Sequence, residues 1–211
     1  MTEQEIWDAL ERREFLDELY RHQILSPEQV DKALGIEEDL EMLYWQQKLS
    51  PVQIDKALET GKDLGILYEY HILSPEQINK ALEIGKDLSW LYEFQKLSSE
   101  QVNKALETEE DLDRLYQFYI LSPKQIDKAL EIERDLYWLY QYQTLSLEQV
   151  NKALEIGKHL GELYQYQTVP IELRKKKLPE GYQNKEYKTE TVTNLEDFLV
   201  RLKRHIQNKG E

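Results

Sequence analysis

The 211-residue chain contains no cysteine and only two methionines. Without cysteine there can be no disulfide framework, no thiolate metal site and no thiol nucleophile. Long apolar runs are also missing. No stretch approaches the roughly 20 residues that a membrane-spanning helix needs. The opening MTEQEIWDALERREF has no basic segment leading into an apolar one, so a secretory signal is not expected and a cytoplasmic protein is. Positive charge is scarce: 27 Lys and Arg stand against 41 Asp and Glu, a formal net charge of -14. The chain is acidic, yet 40% of it is hydrophobic and it holds 14 Tyr and 4 Trp, too much apolar surface for a disordered segment.

A 24-residue repeat organises most of the sequence. LSPEQVDKALGIEEDLEMLYWQQK fills 25–48, LSPVQIDKALETGKDLGILYEYHI 49–72 and LSPEQINKALEIGKDLSWLYEFQK 73–96. Three further copies fill 97–120, 121–144 and 145–168 without a slip. Residues 1–24 are a diverged copy recognisable by Ile6, Ala9, Leu10, Leu16, Leu19 and Tyr20. Such a period marks a stack of identical supersecondary units.

Each unit reads as two short helices. Ser26, Ser50, Ser74, Ser98, Ser122 and Ser146 stand where an N-cap belongs, four of them followed by Pro, and Gln occupies the third helical position. Ser accepts a backbone N–H, Pro tolerates the first helical position, and Gln reaches back, which together predict a capping box. Val or Ile, Ala and Leu then recur at i, i+3 and i+4, as in Ile78, Ala81 and Leu82, the period of one buried helix face. Gly61, Gly85 and Gly157 fit a left-handed C-cap just past this helix; the other full copies have Glu there. A second helix follows, with Leu88, Leu91 and Tyr92 and their equivalents on one face, ending before the next Leu-Ser. Helices this short are marginal alone, and stacking them buries a continuous core. The expected fold is therefore all-α, an α-solenoid of helix–turn–helix repeats. Its general style resembles the tetratricopeptide class of helical-pair repeats, with a shorter period.

Three regions follow from this: residues 1–24 as an N-terminal capping repeat, 25–168 as six tandem repeats, and 169–211 as a partial repeat with a C-terminal extension. In that extension Leu195, Phe198, Leu199, Leu202 and Ile206 form an apolar helical stripe, expected to cap the last repeat, and 185–193 has a short β-like alternation. Residues 1–168 hold 34 acidic and 17 basic side chains, residues 169–211 hold 7 and 10.

Catalysis is not expected. His22, His71, His159 and His205 fall at unrelated repeat positions, and neither a Gly-rich phosphate loop nor a nucleophile–base motif is present. No cofactor or metal is implied. The solenoid has the wrong sign of charge to bind nucleic acid directly.

Comparison among the copies separates scaffold from surface. Leu, Ser, Gln, Lys, Ala, Leu, Leu, Leu and Tyr recur at repeat positions 1, 2, 5, 8, 9, 10, 16, 19 and 20, whereas the second helix varies. Position 18 reads Met42, Ile66, Trp90, Arg114, Trp138 and Glu162, next to a recurrent acidic position 15 that includes Asp87, Asp111 and Asp135. At about 100° per residue, positions 15, 18 and 22 share one flank. The aromatics of position 22 fit inter-repeat packing, while Arg114 and Glu162 mark position 18 as able to face water. Met42, Trp45, Ile66, Trp90, Arg114, Tyr137 and Trp138 with Asp87, Asp111 and Asp135 are thus the candidate partner-binding residues. The function these residues suggest is an interaction scaffold or inhibitor that grips a basic protein partner. A second reading is an acidic mimic of nucleic acid that occupies a nucleic-acid-binding protein. Seventeen net charges along about 70 Å of stacked repeats give about one per 4 Å, thinner than the one per 1.7 Å of duplex DNA.

Overall fold

The computed structural model describes residues 1–170 and 172–173. The extension helix and β-like segment expected beyond them lie outside the described residues. Helices of ten and seven residues alternate: α1 (Glu3–Arg12), α2 (Leu16–His22), α3 (Pro27–Ile36), α4 (Leu40–Gln46), α5 (Pro51–Thr60), α6 (Leu64–Tyr70), α7 (Pro75–Ile84) and α8 (Leu88–Phe94). Then come α9 (Ser99–Thr108), α10 (Leu112–Phe118), α11 (Pro123–Ile132), α12 (Leu136–Tyr142), α13 (Leu147–Ile156) and α14 (Leu160–Tyr166). The fold is an all-α solenoid.

The chain divides into two compact units, Met1–Phe118 and Tyr119–Glu211. In the first, each first helix packs on the first helix of the next repeat, and each second helix on the next second helix. In the second unit α11 packs on α13 and α12 on α14 in the same manner.

The first helices begin as their sequence predicts. In all six full copies the Ser side chain accepts the backbone N–H of the Gln at the third helical position, and that Gln reaches back to the Ser N–H. The diverged copy does the same with Thr2 and Glu5. At the C-terminus Gly61, Gly85 and Gly157 are left-handed, and so are Arg13, Glu37, Glu109 and Glu133. The turn is therefore the same with or without glycine, because the repeat geometry around it is the same. Two residues later the backbone turns left-handed again, at Phe15, Asp39, Asp63, Asp87, Asp111, Asp135 and His159. Aspartate tolerates that region better than most residues.

The core is a ladder of identical layers. Ala81, Leu82, Leu88, Leu91 and Tyr92 are buried, and so are their counterparts at 57, 58, 64, 67 and 68 and in the other full copies of the first unit. Each buried Leu contributes roughly 1.5–3 kcal/mol of transfer free energy. Glutamine holds the layers in register. Gln77 uses the rest of its amide to donate to the Pro51 carbonyl (2.9 Å) and to Asp55 (2.9 Å). Gln53 likewise donates to the Pro27 carbonyl at 2.9 Å. Gln95 accepts from the Leu73 N–H (3.0 Å) and donates to the carbonyls of Tyr68 and His71. Gln47 does the same one repeat-pair earlier, with Leu25, Tyr20 and Gln23. Gln47 and Gln95 thereby satisfy backbone groups at the junction with the preceding repeat that lie beyond its helix ladder, while Gln53 and Gln77 add a second bond to a first-turn carbonyl of the preceding first helix.

The tyrosines of position 20 show a smaller variation. The hydroxyl of Tyr44 meets that of Thr60 at 3.4 Å and Tyr92 meets Thr108 at 3.5 Å. Tyr20 and Tyr68 have Ile36 and Ile84 at the equivalent position of the next repeat, and their buried hydroxyls have no hydrogen-bond partner. Burial pushes Tyr44 up to about 12, against the opposing hydrogen bond from Thr60. It raises Tyr68 further, with Asp87 adding to the shift.

Candidate protein-interaction surface

The two helix rows differ in how their charges are used. On the first helices, the Lys of repeat position 8 pairs with an acid of the preceding repeat: Lys56 with Asp31 (2.8 Å), Lys80 with Glu59 (2.9 Å) and Lys104 with Glu83 (2.7 Å). The contact with Lys104 also lowers the pKa of the Glu83 carboxyl. In the second unit Lys152 pairs with Glu131 at 2.9 Å. Where Gly35 replaces the usual Glu, Lys56 turns to Asp31 instead. The lysines of α5, α7 and α9 are thus paired within the first-helix row, although α3, α5, α7 and α9 each keep one more acid than base.

The second helices carry almost no cation. Helices α4, α6, α8, α12 and α14 contain neither Lys nor Arg; α10 has Arg114 and the diverged α2 has Arg21. What they present to solvent on α4, α6 and α8 is Glu41, Glu69 and Glu93 among Trp45, Tyr70 and Trp90. Trp45 is 47% and Trp90 40% exposed. The Tyr70 hydroxyl is bonded to Glu69, and burial and that carboxylate raise the Tyr70 pKa.

The candidate residues fall into two groups, one in each unit. In the first, Met42 and Ile66 are half-buried on α4 and α6, and Trp45 and Trp90 project from α4 and α8. Trp90 stacks on Phe94, one helical turn on, with centroids 5.5 Å apart and planes 20° apart. Its ring lies over Gly65: a Cβ at Gly65 would stand 3.1 Å from it. Glycine at that place therefore makes room for the indole. Arg114 on α10 reaches Glu93 of the preceding repeat at 3.7 Å and its own neighbour Asp113 at 4.0 Å. Met42 likewise meets Arg21 of the preceding repeat, at 4.0 Å. Position 18 of one repeat therefore lies against position 21 of the repeat before it.

Asp87 and Asp111 act across repeats rather than on their own helices. The Asp87 carboxylate accepts the Gly65 N–H (3.3 Å) and that of Asp111 accepts the Ser89 N–H (3.0 Å). Each caps the first turn of the preceding repeat's second helix, whose own starting residue offers no side-chain cap. A carboxylate there also complements the positive end of the helix dipole.

In the second unit Tyr137 and Trp138 are half-buried on α12, and the exposed Asp135 begins that helix. Trp138 stacks on Tyr142 at 5.7 Å, and Tyr137 stands edge-on to Trp138 at 5.0 Å. His159 takes the place of the recurrent Asp, and its ring stands edge-on to Tyr137 at 6.4 Å. Tyr166 is hydrogen-bonded to Tyr137; burial, then these neighbours, raise its pKa.

Two features escape sequence reasoning. The buried glutamines at repeat positions 5 and 23 look like ordinary polar residues until their partners, 22 to 27 residues away, are placed beside them. The only available signal is their recurrence: Gln stands at position 5 of every full copy. His71 replaces the position-23 glutamine and is buried, donating to the Tyr44 carbonyl at 2.9 Å; burial lowers its pKa, against the pull of that hydrogen bond.

Among the described residues no three His, Asp or Glu side chains come together as a metal site, and no helix is long and apolar enough to cross a membrane. No known protein family, curated protein or solved structure matches the chain.

Proposed function

We propose that this chain is a non-enzymatic interaction protein of the cytoplasm, an adaptor or inhibitor that binds a basic protein partner through the second-helix face of its first unit. The observation that carries this reading is the pair of exposed tryptophans, Trp45 and Trp90, on a row of helices whose only charged side chains on α4, α6 and α8 are carboxylates. On the first helices Lys56, Lys80 and Lys104 pair with acids of the preceding repeat. By contrast, α4, α6 and α8 set Glu41, Glu69 and Glu93 among exposed tryptophans with no Lys or Arg of their own, and among the described residues only Glu93 of these three meets a cation, Arg114 of α10. Such a face attracts a positive partner electrostatically and anchors it with aromatic rings, the residue types that dominate interface energetics. The alternative, mimicry of nucleic acid, calls for unbroken lines of free carboxylates; the lysine ladder interrupts one such line, and tryptophans interrupt the other.

Anisotropy of fluorescein-labelled poly-lysine and poly-glutamate on the full chain tests the reading. Poly-lysine is expected to bind, with an affinity that falls as salt rises and that the pair Trp45→Ala with Trp90→Ala weakens. Equal binding of both polymers, or binding indifferent to the two tryptophans, would overturn it.

A further inference from the structure

The interaction face of the first unit has a readable order, and this inference rests on the function proposed above. Because position 18 of each repeat lies against position 21 of the one before, as Arg114 against Glu93 and Met42 against Arg21 show, the seats along the row follow from the sequence. Between α4 and α6 the pair is Trp45 with Ile66, an apolar seat. Between α6 and α8 it is Glu69 with Trp90, a carboxylate beside an aromatic ring and no cation. Between α8 and α10 it is Glu93 with Arg114, where the protein supplies the cation itself. Arg114 therefore marks in the last seat the group that the Glu69 seat lacks.

The spacing of the seats selects the shape of the ligand. Packed helices stand about 8–10 Å apart. A polyproline II segment turns once every three residues and rises about 9 Å per turn, so residues i and i+3 face the same side, one repeat apart. A β-strand alternates every second residue and would turn every other such contact away. We infer that the face takes a polyproline II segment in which a Lys or Arg lies three residues from a Pro or other apolar residue. The cation sits on the Glu69 carboxylate, held by charge, with its alkyl stem along the exposed part of Trp90, and the apolar residue sits on Trp45 and Ile66. Gly65 is part of the specificity, since a side chain there would push the Trp90 ring off the start of α6.

Two labelled, Pro-rich peptides of identical composition test this by fluorescence anisotropy on the full chain: one with Arg three residues from an apolar anchor, one with the two residues adjacent. The first is expected to bind about tenfold more tightly, an advantage that Glu69→Gln removes and that Trp90→Leu reduces. Glu69→Gln changes no buried contact, so its effect does not depend on folding, and a thermal melt of Trp90→Leu checks the other. Equal affinity of the two peptides, with both still weakened by Glu69→Gln, would overturn the spacing and leave the basic-partner reading standing. Failure of both peptides and of poly-lysine to bind would overturn both.

Discussion

First and second helices of the same repeat differ in what completes them. α7 carries its cap within its own residues, Ser74 and Gln77, and ends at Gly85, which is left-handed. α6 starts from a left-handed Asp63 with no cap of its own and receives one from Asp87 in the next repeat. The first helix can thus be specified locally. The second is complete only when its neighbour is stacked on it, and the positions left over on its outer flank vary freely between copies. Self-sufficiency on one row and dependence on the other explain why variation and aromatics gather on the second helices.

The largest expected effect on this comparison comes from the buried glutamine that joins repeats. Gln95→Leu leaves the Leu73 N–H and the Tyr68 and His71 carbonyls without their partner, and at roughly 1–3 kcal/mol per group a loss of about 3 kcal/mol or more is expected in chemical denaturation. An effect below about 1 kcal/mol would mean that water replaces the amide readily. Next come the two kinds of cap. Ser74→Ala and Asp87→Ala are each expected to cost about 1–2 kcal/mol, but in different places. Hydrogen exchange should quicken at the start of α7 for the first and at the start of α6 for the second. Quickening at α8 instead of α6 in Asp87→Ala would break the idea that second helices are capped from the next repeat.

His71 offers a test with pH. Its imidazole is held below the ordinary value of about 6.5 by burial, so the unfolded chain takes up the proton first. Its contribution to stability is therefore present above about pH 6.5 and is lost as pH falls below that value. Where Gln47 and Gln95 bond three backbone groups, His71 bonds one. His71→Gln is expected to raise stability by about 1 kcal/mol at pH 7 and to flatten the decline between about pH 6.5 and 5, read from melts across that range. An unchanged acid limb would assign the decline to other groups. The smallest effect separates the two tyrosine environments. Tyr44→Phe removes a partnered hydroxyl and should cost about 1 kcal/mol, whereas Tyr68→Phe removes an unpartnered one and should be neutral or stabilising. Equal costs would show that Thr60 contributes nothing.

Much of this was legible in the residues themselves. The period, the Ser–Gln boxes, the buried Ala–Leu and Leu–Leu–Tyr sets and the helix ends all depend on neighbours within about four positions, and each appeared where the pattern placed it. Glu37, Glu109 and Glu133 were less informative: glycine at the same place in other copies suggested a left-handed cap, but only the folded turn shows that these glutamates adopt it too. The recurrent Asp looked like half of an exposed acidic stripe, because its acceptor role at Gly65 or Ser89 spans 22 residues of chain. The exposure of Trp45 and Trp90 also depended on what stacked beside them.

By itself, then, the sequence determined the all-α class, the 24-residue unit, the caps of the first helices and the composition of the core, since these follow from local hydrogen bonding and helical periodicity. Tertiary structure alone decided which polar groups serve the scaffold and which face solvent. Lys80, Gln95 and Asp87 each act on a residue 21 to 27 positions away. Only stacking, which sets the distance between one repeat and the next, brings such residues within reach of a hydrogen bond.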